Sequence, residues 1–134
     1  TKQKGLELVG KSDIAMLATV DAEGYPEVRA MLKMEHDGLR EFWFTTNTSS
    51  RKIPQLKTNS KACLYFVDAQ NYMGLSLIGM IEIHCDQKSK QRLWREGFEK
   101  YYPEGIDDPD YCVLRFKAVS GEYYHKLQTV RFAI

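Results

Sequence analysis

Two serines and two cations stand together in the run TTNTSSRKIPQLK: Ser49, Ser50, Arg51 and Lys52. Pro54 follows closely. It has no N–H and cannot lie deep inside a helix, so a helix containing it begins within about one turn before it. That geometry sets Ser49 to Lys52 at or just before the helix start, where free backbone N–H groups, hydroxyls and cations meet. Such a convergence suits a phosphate. A plainer reading stays open at this point: Ser49 or Ser50 is an N-cap, and Arg51 and Lys52 are solvated surface charges.

The elements that position this cluster can be read on either side of it. Residues 1–11 read as the end of a helix, 14–20 (IAMLATV) as a buried strand, and DAEGYP as a turn into a second strand over 27–35. His36, Asp37 and Gly38 predict a hairpin into a third strand over 40–46. Pairing about that turn would set Arg29 opposite residues 45–47, adding a third cation beside Thr45 and Thr46. A helix over 51–59 follows, then strands over 61–68 and 75–85, with Gly79 marking a bulge or a close approach. Asp86 predicts an N-cap for a helix reaching Tyr102, with Leu93, Trp94, Phe98 and Tyr101 as its apolar stripe. Strands over 111–124 and 130–134 close the chain. About six antiparallel strands with two or three helices predict an α+β fold, a closed or partly closed barrel whose interior is filled by side chains. A sizeable ligand must then lie outside it, between subunits.

Composition narrows the function classes. The 134 residues make one domain, 1–134, with a formal net charge of +1, so no global field draws nucleic acid and an anion site must be local. No apolar run approaches the roughly 20 residues of a membrane span. With no visible signal peptide and an odd, widely spaced set of cysteines (Cys63, Cys85, Cys112), a reducing, cytoplasmic location is expected. The three cysteines are read as buried and unreactive.

Other constellations carry less. His36, His84 and His125 share no ligand spacing, so no metal site is expected. Asp107, Asp108 and Asp110 lack EF-hand spacing and read as a solvated loop. GxSxG, GxxxxGK[ST] and HExxH are all missing.

The segments IAMLATV, DAEGYPEVRAML, FTTNTSSRKIPQLKTNSKACLYF, LIGMIEI and DPDYCVLRF together resemble the pyridoxamine 5'-phosphate oxidase-like, FMN-binding split-barrel family, in its short general stress protein 26 type. The element Thr46, Ser50, Lys52, followed by Leu56, Asn59 and Ala62, carries most of the likeness. The resemblance implies a six-stranded antiparallel split β-barrel with flanking helices, a homodimer, and FMN in each interface cleft. It implies that Arg29 and the backbone of Ala30, Met31 and Leu32 meet the phosphate and flavin ring. Thr45 and Thr46 would bond the flavin or its ribityl chain, and Ser50, Arg51 and Lys52 would hold the phosphate.

Departures limit the transfer of activity. The C-terminal HKLQTVRFAI does not supply the family oxidases' Arg-x-His-type segment, and their fifth-strand glutamine would fall on Gly74. Vitamin B6 oxidation is therefore not carried over, and no side chain stands out as a catalytic acid or base. The expected function is an FMN-dependent oxidoreductase acting on an unidentified small molecule or electron donor. The rival readings are a flavin-binding storage or redox-sensing protein without turnover, and a barrel holding haem or a deazaflavin.

Overall fold

In the computed structural model, which describes residues 1–134, the elements run α1 (Lys2–Lys11), β1 (Ile14–Val20), β2 (Pro26–Leu32), β3 (Glu35–Asp37), β4 (Glu41–Asn47), α2 (Lys52–Thr58), β5 (Lys61–Asp68), β6 (Met73–His84), α3 (Gln87–Leu93), β7 (Tyr111–His125) and β8 (Gln128–Ala133). All strand pairs are antiparallel, in the order β2-β1-β5-β6-β7-β4-β3, with β8 also on β7. The two ends of this order, β2 and β3, are consecutive in the chain. The sheet must therefore curl until its ends approach, giving a split barrel.

Alternation selects the barrel interior. Ala15 and Leu17 of β1, Phe42 and Phe44 of β4, Leu64 and Phe66 of β5, and Leu75 and Leu77 of β6 are at most 0% exposed and form one core with Leu8 and Val9 of α1. A second, smaller core lies on the opposite face of β4 and β7. There Leu93, Tyr102, Tyr111 and Val113 are buried, with Trp94 and Phe98 packed against them. Strand β7 has apolar residues on both faces because both are covered.

The split-barrel expectation holds, with three corrections in detail. The strand expected over 27–35 is broken at Lys33 and Met34, so the seven strand ranges read from the sequence become eight strands. Lys33 turns its N–H to the Asp13 carbonyl and Met34 to that of Trp43. The break lets one edge of the barrel pass to the other. Secondly, β2 does not pair with β4: Arg29 lies opposite Leu17 of β1, and only the short β3 makes the hairpin with β4. Thirdly, the helix expected to reach Tyr102 stops at Leu93, since Trp94 is extended and Gly97 takes φ 92°. The aromatic stripe instead folds back as a compact cluster, Trp94 meeting Phe98 and Tyr111 edge to face. Asp86 does cap α3, accepting from the Ser89 N–H at 3.0 Å.

Gly79 sits at the register shift of β6 against β7, where a bulge was expected. A Cβ there would fall on the Lys117 carbonyl.

Candidate functional site

The cation cluster divides into two connected parts. In the first, the Lys52 side chain runs from the start of α2 to the end of β4 and is 7% exposed. Its Nζ donates to Thr46 Oγ1 at 2.8 Å and to Ser50 Oγ at 3.0 Å. No carboxylate lies within ion-pair distance of it. Burial, and then the charge of Arg29, push the Lys52 pKa down from its ordinary value. Holding an ammonium under those conditions is costly without a counter-charge.

The second part centres on Arg29. Its Nη1 donates to Thr19 Oγ1 at 2.7 Å and to the carbonyls of Glu27 and Leu17. Thr19 in turn donates to Gln55 Oε1, and Gln55 Nε2 donates to Glu27 Oε1. Arg51 reaches back to Glu27 Oε2 at 2.6 Å while remaining largely exposed. The hydrogen bonds from Arg51 and Gln55 hold the Glu27 carboxyl below its usual pKa. Thus β1, β2 and α2 are laced together by side chains.

The expected residues separate accordingly. Thr46, Ser50 and Lys52 meet directly, and Arg29 lies near enough to shift Lys52 although its strand pairing differs from expectation. Arg51 turns away to Glu27. Thr45 and Thr46 point to opposite faces of β4, and only Thr46 joins Lys52. On β2, Arg29 and Met31 face inward, whereas Ala30 and Leu32 lie on the exposed outer face. Strand β2 pairs only with β1, so its other edge is unpaired along Arg29 to Leu32. Neither serine caps α2, because its N-cap is Arg51 with no side-chain cap bond.

Two readings need correction. Asp108 and Asp110 do not form a solvated loop. Asp108 is 6% exposed and accepts from the N–H groups of Glu104 and Asp110, while Asp110 accepts from the Thr48 hydroxyl and the Ser49 N–H. Asp110 therefore anchors the segment that leads into Ser50, a role its distance in sequence concealed. Of the cysteines, only Cys112 is buried; Cys63 is half-buried and Cys85 exposed.

Solved structures share this fold. A protein from Clostridium acetobutylicum related to general stress protein 26 of B. subtilis, in the pyridoxinephosphate oxidase family, is 50% identical over 99% of this chain and 94% of its own, with a TM-score of 0.90. General stress protein 26 from Bacillus anthracis is 18% identical, covering 98% of each chain at a TM-score of 0.77. A heme binding protein from Mycobacterium smegmatis is 15% identical over 98% of this chain and 57% of its own, at 0.79. The last two likenesses concern the fold alone. The family model for pyridoxamine 5'-phosphate oxidase like proteins matches residues 1–134, and the chain belongs to that family.

Proposed function

We propose that this protein is a homodimeric FMN-binding flavoprotein and an FMN-dependent oxidoreductase acting on a small molecule at the dimer interface. The observation that carries the reading is Lys52: a buried ammonium, bonded only to two hydroxyls and lacking a carboxylate, fits a phosphate dianion. Ser50 and Thr46 would hold the same phosphate, and Arg29 would add charge from β2. Arg51 would join by leaving Glu27. The unpaired edge of β2 at Ala30, Met31 and Leu32 offers backbone donors and acceptors to a planar heterocycle, and Thr45 is assigned to the flavin side of β4. Bound FMN supplies the redox chemistry, while these residues bind and orient it.

The dimer rests on a second observation. Val28, Ala18, Cys63 and Ile78 form one directly paired row across β2, β1, β5 and β6, on the outer face. Val28 and Ile78 are 63% and 53% exposed. An apolar row on an open sheet face is the kind of surface that a partner covers.

The test is the absorbance of the purified protein before and after FMN addition and gel filtration. A retained flavin band supports the reading, and turnover with a nicotinamide donor then separates an oxidoreductase from a storage or sensing protein. Protein that emerges colourless, or that shows a haem band instead, overturns FMN as the cofactor.

A further inference from the structure

The start of β7 and the end of β6 set two cysteines near each other. The β6–β7 ladder ends at the pair His84 and Val113, preceded by Ile83 and Leu114. Cys85 follows the end of β6, and extending the register by one step sets it opposite Cys112, close enough for its charge to act on the Cys112 thiol. Both continue the inner face: Ile81 precedes Cys85 at alternate positions, and Cys112 precedes Leu114 and Phe116. Directly opposed residues of antiparallel strands have Cα atoms about 4.5–5.5 Å apart, within the span of roughly 4.4–6.8 Å that a disulfide bridges. The two thiols differ in access, Cys85 being exposed and Cys112 buried.

We propose that Cys85 and Cys112 are a redox pair that closes to a cross-strand disulfide under oxidation by hydrogen peroxide or an alkyl hydroperoxide. Cys85 is the attacking group because it alone is accessible. Its thiolate sulfur takes one peroxide oxygen: an S–O bond forms, the O–O bond breaks, and the departing hydroxide is protonated to water (or, from an alkyl hydroperoxide, the alkoxide to an alcohol). The Cys112 sulfur then attacks the Cys85 sulfenic acid. The S–S bond forms, the S–O bond breaks, and the leaving hydroxide takes the Cys112 proton as a second water. Two thiols lose two electrons in all, and the peroxide gains them.

The surroundings suit this division of labour. Burial, then the neighbouring Cys85, push the Cys112 thiol up to about 12, with Lys52 opposing the rise. Cys112 is therefore held as the protonated thiol and is not the group that attacks peroxide. It also lies opposite Thr46 in the β4–β7 ladder. The third cysteine, Cys63, is in a different place, its Sγ 3.3 Å from Ser76 Oγ on the outer face.

The test needs only the full chain. Reduced protein is treated with hydrogen peroxide, denatured, alkylated, and analysed by intact mass and non-reducing peptide mapping. The expected result is a linked pair of peptides containing Cys85 and Cys112, reversible by dithiothreitol, with Cys63 the sole alkylated thiol. Cys63→Ser should form the same link, and Cys85→Ser should leave Cys112 alkylatable after denaturation. In Cys112→Ala, Cys85 should pass on to the irreversible sulfinic acid. Peroxide-treated wild-type protein whose Cys112 remains alkylatable, or whose only disulfide involves Cys63, overturns the proposal.

Discussion

The Lys52 ammonium and the Thr46 hydroxyl, 2.8 Å apart, are both buried and join the first turn of α2 to the end of β4. This contact combines a stability cost with a binding capacity. A buried cation whose nearest acceptors are neutral oxygens costs the ligand-free fold free energy, and an incoming anion offsets that cost.

Lys52→Met should therefore leave the ligand-free protein equally stable or more stable by about 1 kcal/mol, since an apolar residue of similar volume is often tolerated where a charge was buried. A loss well beyond about 1 kcal/mol in urea unfolding would show that the Lys52 bonds hold the fold together. The pH dependence has a fixed sign. The folded pKa of Lys52 lies below its unfolded value of 10.5, so the unfolded chain binds more protons in that window. Ligand-free stability should rise with pH between the two values, and Lys52→Met should flatten that rise.

The outer apolar row should be covered in solution by a second copy. Ile78→Lys puts a charge on the exposed β6 end of the row, opposite Cys63, and should shift the protein from dimer to monomer by light scattering while its circular dichroism is retained. A wild-type protein that is monomeric at micromolar concentration contradicts the dimer.

Gly79→Ala should destabilise by about 2 kcal/mol or more, because the added methyl would meet the Lys117 carbonyl rather than a movable side-chain end. Chemical denaturation reads this directly. A neutral result would mean that the bulge at Val119 of β7, opposite Ile78 and Gly79, relaxes freely.

The β7–β8 turn should accept improvement. His125 pairs with Gln128 across a two-residue loop in which Lys126 and Leu127 take φ 49° and 66°. Such a turn favours Asn-Gly. Leu127→Gly should raise stability by about 0.5–1 kcal/mol, seen as a higher thermal midpoint, because glycine removes the left-handed strain at a position that is 89% exposed.

Local signals made much of this molecule legible in sequence. Pro54 bounded α2, a short and nearly continuous apolar run marked β1, and Gly79 announced the bulge, each from residues within a few positions. Long-range relations were less visible. The approach of Arg29 to Lys52 was expected through a β2–β4 hairpin, yet it arises because β2 pairs with β1 and the sheet curls. Asp110 serves the Ser49 loop from 61 residues away. Nothing near Asp110 in sequence reports that contact. The Trp94 stripe matched a helical period, but its aromatic residues gain more from packing on Tyr102 and Tyr111 than from extending α3.

The central claim is that Lys52 is present for a phosphate, and comparing FMN with riboflavin tests it most directly, since the two differ only in that group. Titrations of wild-type protein and Lys52→Met with each, followed by flavin fluorescence, complete a cycle. Wild type should bind FMN far more tightly than riboflavin, and Lys52→Met should lose roughly 1.5–3 kcal/mol toward FMN, as for a hydrogen bond to a charged group, with little change toward riboflavin. Equal affinity of the wild-type protein for both flavins, or an FMN affinity indifferent to Lys52, would contradict the account.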